Sequence, residues 1–464
     1  MINSILAGIV IASTLLFGSV EVWSSSAVLA LVYAAGLFWV IRGEYHGAQM
    51  PKNIRPLFLV AVTFCAYIIL QVVPLPSTVI GLISPETART REFYSITPLH
   101  FMTLSFDPYK TINEILRIAA FFIVFFISSV AFTDRDKLFG MLVVLMLFGF
   151  CLAVFAIVQK ATWNEKIYWF RELTAGGSPF GPFVNRNHFA GFIGMLIPLG
   201  LGYTLTREKR EKKILFGFLT VVTAVSLFFS LSRGGIISFF AGIALFSLLI
   251  LLTKIQKKKI WTIIFFLIAL TAYLLYLGMD PVIERFYKTD ISKEQRIIVW
   301  ATTLGACKDF WLTGTGLGTY IDIFPLYSPS DVQSIFDHAH NDYLEFMLET
   351  GAVGTALLLS FVAILAYSSV KDNFQGTRGM MKISLISSVF TMLVHSVFDF
   401  NLHILSNMLL FAIVLGMLSA LSSPAEGKYP RRYARTSKKH PERETLPGPD
   451  NRREAEDWEK EQKK

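Results

Sequence analysis

Apolar runs of about twenty residues recur along this chain, and no other feature restricts its fold so strongly. At about 1.5 Å per residue, a helix of that length crosses the hydrocarbon core of a bilayer. About twelve such runs occur, at 2–20, 25–41, 56–73, 112–132, 138–159, 188–206, 214–231, 235–253, 260–278, 343–368, 383–400 and 405–421. Hydrophobic residues make up 53% of the chain and charged residues only 17%, against about 25% charged in a soluble domain. Backbone polar groups in lipid must be satisfied within the segment itself. The expected fold is therefore an all-α polytopic membrane protein of about twelve transmembrane helices. The first run lacks a basic leader and is followed by Glu21-Val22-Trp23, so it reads as a retained helix rather than a cleaved signal.

The loops orient the bundle. Arg207-Glu208-Lys209-Arg210-Glu211-Lys212-Lys213 and Lys254-Ile255-Gln256-Lys257-Lys258-Lys259 are short and basic, and such loops stay cytoplasmic. With twelve spans, both termini and the connections at 42–55, 133–137 and 371–382 fall on that side. The long loops at 74–111, 160–187 and 279–342 fall outside. Two regions follow: a bundle over 1–421, whose 279–342 loop joins helices nine and ten outside the membrane, and a charged, disordered cytoplasmic tail over 422–464. The formal net charge of +9 belongs to this topology and not to nucleic-acid binding. Cys65, Cys151 and Cys307 form no disulfide framework or metal pattern.

The outer side carries the chemistry. Asp337-His338-Ala339-His340-Asn341-Asp342-Tyr343-Leu344-Glu345 stands where the longest loop meets an apolar helix. An unperturbed histidine titrates near pH 6.5 and can accept a hydroxyl proton at neutral pH, so His338 and His340 are candidate bases. Helix capping and hydrogen bonding compete with that reading. A metal site aided by Asp337 or Asp342 lacks further ligand spacing, and no metal is expected.

Ser232-Arg233-Gly234-Gly235 joins two apolar runs tightly, leaving Arg233 either as a snorkelling side chain or as an anion ligand near the outer surface. Arg296 opens an amphipathic stretch running to about Phe310. Its guanidinium suits phosphate, although a solvated surface charge is the plainer reading. Asn185-Arg186-Asn187-His188 begins a helix whose N-terminus favours anions, with Arg186 adding charge. Arg117 lies about one turn below the outer surface. His395, Asp399 and His403 share one face if the helix continues; there they supply interhelical hydrogen bonds, and Asp399 can orient a histidine. Gly314-Thr315-Gly316-Leu317-Gly318 lacks the spacing and context of a nucleotide loop and reads as a flexible turn.

Taken together, the Arg-Gly-Gly hairpin, the Gly-Thr-Gly-Leu-Gly loop, the His-Ala-His-Asn-Asp-Tyr-Leu-Glu…Glu-Thr-Gly stretch and the late His-Ser-Val-Phe-Asp-Phe-Asn-Leu-His resemble the O-antigen ligase/polymerase superfamily over about residues 180–421. The resemblance implies a plasma (inner) membrane enzyme of surface polysaccharide biosynthesis, working on the outer face without a cofactor. Its donor would be a glycan on undecaprenyl pyrophosphate. Its acceptor would be a glycan, lipid A–core or another hydroxyl. Arg233 and Arg296 would match the arginines that contact pyrophosphate, with Arg186 and Arg117 as further candidates. His340 would match the base, His338 being an additional histidine, with Asn341, Asp399, His395 and His403 in support. The expected reaction is a metal-independent, inverting single displacement. The rival expectation is a transporter or lipid-linked glycan flippase, which would put charged residues near the bilayer midplane rather than at the outer boundary.

Overall fold

The computed structural model describes residues 1–43, 50–173, 177–207, 209–253, 259–278, 283–284, 291–329, 336–371 and 374–422. The expected disordered tail beyond Ser422, most of the basic 254–259 loop and parts of the 279–342 segment lie outside the described residues. A helix stands at each of the twelve apolar runs: α1 (Ile2–Leu15), α2 (Val22–Ile41), α3 (Ile54–Val72), α6 (Pro108–Ala131), α7 (Arg135–Ala161), α8 (Arg186–Thr206), α9 (Arg210–Phe229), α10 (Arg233–Leu252), α11 (Ile260–Leu277), α14 (Asp342–Val370), α15 (Gly376–His395) and α16 (Leu405–Ala420). Among the described residues, eight of these are long and apolar enough to cross a membrane. Three apolar helices, α1, α11 and α16, are shorter, and α15 carries Arg378 and Lys382. The fold is predominantly helical and polytopic, as the run lengths require.

Helix α8 runs through the middle, with 94% of its apolar window buried. It packs against α9, α10 and α15, while α16 packs on α6 and α15. Polar side chains knit the centre: Ser388 Oγ donates to the Met195 carbonyl at 2.7 Å and Ser384 Oγ to the Pro198 carbonyl at 3.0 Å. The second bond reaches the carbonyl of Pro198 itself, a proline accommodated inside α8.

The long loops hold structure that periodicity did not reveal. Between α3 and α6 lie α4 (Ser77–Ile83) and α5 (Pro85–Tyr94), with Leu75–Pro76 paired antiparallel to Phe101–Met102. The amphipathic stretch after Arg296 is part of α12 (Ile291–Asp309), followed by α13 (Tyr320–Tyr327).

Two expectations change. The run at 343–368 is not one straight helix: α14 breaks at Gly351, which has φ 60° and ψ −165°. Gly-Thr-Gly-Leu-Gly is a turn, but a close-packed one lodged in that break. Thr315 and Gly316 donate their N–H groups to the Leu348 and Glu349 carbonyls, each at 3.0 Å. A Cβ on Gly351 would sit 2.5 Å from the Leu312 carbonyl carbon, so only glycine lets the two backbones approach.

Candidate functional site

The turn between α15 and α16 is the hub of the site. Helix α15 ends at His395, so His395, Asp399 and His403 do not share a helical face as the i, i+4, i+8 spacing suggested. The Asp399 carboxylate instead accepts the N–H of Phe400 at 3.0 Å, a local bond that competes with helix continuation. A 3-10 turn, Asn401–His403, then leads into α16. Ser396, Phe398, Asp399 and Phe400 of the 396–400 turn each meet another part of the molecule.

Asp399 is fully buried and collects three donors: Phe400 N, Asn187 Nδ2 from the first turn of α8, and His340 Nδ1 at 3.0 Å. Burial opposes its charge, but the His340 hydrogen bond and the nearby His188, His340 and Arg296 lower its pKa below the ordinary carboxylate range. An ionised carboxylate only accepts hydrogen bonds. The His340 Nδ1 therefore carries a proton, and in the neutral imidazole the lone pair is then on Nε2. The His340 side chain is 23% exposed against 1% for Asp399, so the ring is reachable while its orienting partner is not. His340 has φ 50°, a strained backbone for a non-glycine residue, and this local turn aims the ring at Asp399.

His338 takes a different carboxylate. Its Nδ1 lies 2.6 Å from Glu345 Oε1, while Glu345 Oε2 accepts the Ala339 N–H at 2.8 Å. His403 completes the group, with Nδ1 3.0 Å from Asp342 Oδ1 and Nε2 3.4 Å from Glu345 Oε1. Burial works against a charged His403, but Glu345, Asp342 and Glu349 outweigh it and raise its pKa to about 10. His338, Glu345 and His403 are also the residues that could hold a metal ion, their ligand atoms lying within 4.8 Å of one another. Phe400 joins the two histidine systems. Its ring stacks on His338 at 4.0 Å between centroids, meets His340 at 5.1 Å, and takes the edge of His188 at 4.9 Å.

Arg296 and the hairpin that carries Arg233 both reach the 396–400 turn. Arg296 Nη1 donates to the Phe398 carbonyl at 3.0 Å. Arg233 is the first residue of α10, capped by Ser232, whose Oγ accepts from the Gly235 N–H at 3.2 Å. A Cβ on Gly234 would sit 2.9 Å from Phe398 Cβ and 3.3 Å from His395 Nε2, and one on Gly235 would sit 2.6 Å from Ala190 Cβ. The paired glycines thus let the hairpin press closely against α8 and the 395–398 turn.

The remaining candidates divide. Arg117 donates through Nη1 to Glu114 Oε1 at 2.9 Å and through Nη2 to the His403 carbonyl, bracing the 401–403 turn. Arg186 is half-buried at the first position of α8, its N–H donating to the Ser178 carbonyl at 2.7 Å. Asn341 caps α14, accepting from the Tyr343 and Leu344 N–H groups. His395 is buried beneath the hairpin. Sequence reasoning gave no role to Phe400 or to Trp300, whose Nε1 donates to the Ala339 carbonyl at 3.0 Å, and placed Asn187 only at the start of a helix rather than on Asp399. Glu345 stood in the quoted motif, but without its partner at 403 it carried no signal.

Such an arrangement can take a proton at one reachable imidazole while cations stand at the edge of the same turn. No curated protein matches the chain. Residues 218–359, which carry Arg233, Arg296, His338 and His340, match the family model for O-antigen ligase.

Proposed function

We propose that this protein transfers or polymerises glycan from an undecaprenyl-pyrophosphate donor onto a hydroxyl acceptor at the outer face of the plasma membrane. The observation that carries this reading is the His340–Asp399 pair, set beside Arg296 on one turn, within a chain whose 218–359 segment matches O-antigen ligase. His340 Nε2 accepts the proton of the acceptor hydroxyl. The freed oxygen attacks the anomeric carbon as the bond from that carbon to the pyrophosphate oxygen breaks. The electron pair leaves with undecaprenyl pyrophosphate, whose charge Arg233 and Arg296 neutralise through guanidinium hydrogen bonds. One displacement inverts the anomeric configuration, and arginines rather than a metal meet the pyrophosphate. The basic 207–213 loop supports an orientation with α8, α10 and α14 opening on the outer face. Ligase and polymerase roles fit this chemistry equally.

The test is reconstitution of the purified protein with a labelled undecaprenyl-pyrophosphate oligosaccharide and candidate acceptors. A new glycosidic product with release of undecaprenyl pyrophosphate is expected, and the product's chain-length distribution separates polymerase from ligase. Movement of intact lipid-linked glycan across the bilayer without a product would overturn the reading in favour of a flippase.

A further inference from the structure

We propose that His338, Glu345 and His403 form a binding site for a divalent cation of the zinc class, distinct from the His340–Asp399 pair and serving to lock the outer loop onto the bundle.

Three donors from separate segments meet here: His338 Nδ1 from the loop before α14, Glu345 Oε1 from the first turn of α14, and His403 Nε2 from the turn before α16. In tetrahedral zinc sites, bond lengths near 2.0–2.2 Å put neighbouring donors roughly 3.3 Å apart. The His403 Nε2–Glu345 Oε1 separation is 3.4 Å, close to that value. His338 Nδ1 and Glu345 Oε1 stand 2.6 Å apart, a hydrogen-bond distance that opens by less than about 1 Å when a cation replaces the proton between them. Two imidazole nitrogens and one carboxylate oxygen suit zinc, with a fourth position left for water; magnesium, which prefers an all-oxygen shell, is poorly served.

The surroundings are those of a metal site as well. Metal-binding histidines commonly pass their second nitrogen to a carboxylate, which fixes the ring. His403 does so through Nδ1 to Asp342 Oδ1 at 3.0 Å, and Asp342 is anchored in turn by the Leu402 N–H at 3.2 Å. Glu345 Oε2 is held by the Ala339 N–H, and the His338 ring is fixed by its stack on Phe400. Asp342, Glu345 and Glu349 are all buried, at 5%, 1% and 1% exposure. Buried carboxylates need compensating charge, and a bound dication would take over that role from the protons on His338 and His403. The His338 and His403 side chains keep 27% and 18% exposure, so an ion can enter from the loop side. On binding, the protons on His338 Nδ1 and His403 Nε2 pass to solvent and the two nitrogens become ligands. The ion then ties the 336–341 loop, α14 and the 401–403 turn together.

The experiment uses the full-length protein without a histidine tag, stripped by chelator in detergent and titrated with Co²⁺ and then Zn²⁺. One equivalent of Co²⁺ should give the visible absorption of a tetrahedral nitrogen–oxygen site, Zn²⁺ should displace it, and Zn²⁺ should raise the melting temperature. His338→Gln and His403→Gln should each abolish the signal. Asp342→Asn, which spares all three ligands, should weaken Co²⁺ binding about 10- to 100-fold. No tetrahedral spectrum in the folded wild type would overturn the proposal, as would Co²⁺ binding that survives either histidine substitution. Because the readouts are binding and melting, they stand whether or not the protein proves to transfer glycan.

Discussion

Replacing Asp399 with asparagine should cripple transfer while leaving donor binding nearly intact. The substitution keeps size and shape in a fully buried position but removes the charge that makes the oxygen an obligate acceptor of the His340 proton. If the amide presents its NH₂ to His340 Nδ1, the imidazole proton moves to Nε2, the atom that must accept from the hydroxyl, and general-base catalysis is lost. That catalysis is worth about 10²–10⁴ in rate, so a transfer rate lower by about 10³ is expected. Exchanging charge-assisted hydrogen bonds for neutral ones should cost about 1–2 kcal/mol of stability, which a melt of the purified variant measures. The pH dependence has a definite sign. The folded pKa of Asp399 is lowered, so its stabilisation is present above the unfolded carboxylate value near 3.9 and is lost as pH falls through the lowered folded value. The variant should lack that acid-side loss. Single-turnover transfer and donor affinity, measured on the same folded preparation, decide the matter. Full transfer by Asp399→Asn, or a loss wholly explained by weaker donor binding, would refute the orienting role.

If guanidinium groups meet the pyrophosphate, as proposed, protein stripped of divalent ions and held below its melting point should still complete single turnovers. Loss of transfer in folded, stripped protein that Mg²⁺ restores would assign that charge to a metal instead. A cysteine placed at Ser330 should react with an impermeant reagent in intact cells, whereas one at Lys464 should react only after lysis; the opposite pattern would invert the topology. Gly351→Ala should destabilise the outer loop markedly, since its Cβ would meet the Leu312 backbone at 2.5 Å. Unchanged melting of that variant would mean that the break in α14 is not needed.

Hydropathy made the helices legible, because a bilayer imposes its thickness on every span. The short helices between the spans were not, since α4, α5 and α13 obey no such length rule and are held by contacts with the rest of the molecule. Motif residues lie near one another in the fold: His338, His340, Arg296 and the glycine after Arg233 all approach the turn that follows α15. Their pairings were beyond reach, because His340 and Asp399 are 59 positions apart and Lys110 finds Asp322 across 212. The helical spacing of His395, Asp399 and His403 misled for a local reason, namely that Asp399 turns back to cap its own neighbour. The pairing of His338 with Glu345 spans seven positions within the motif, yet becomes a three-donor cluster only when the fold brings in His403.

Donor affinity and transfer rate, measured together on folded Arg296→Ala and His340→Ala protein, test the central claim most directly. Arg296→Ala should lose donor affinity along with turnover, and Arg296→Lys should recover little, because an ammonium lacks the bidentate fork. His340→Ala should bind donor nearly as the wild type does and fail at transfer. Full-rate transfer by His340→Ala, or unchanged donor affinity in Arg296→Ala, would contradict the account.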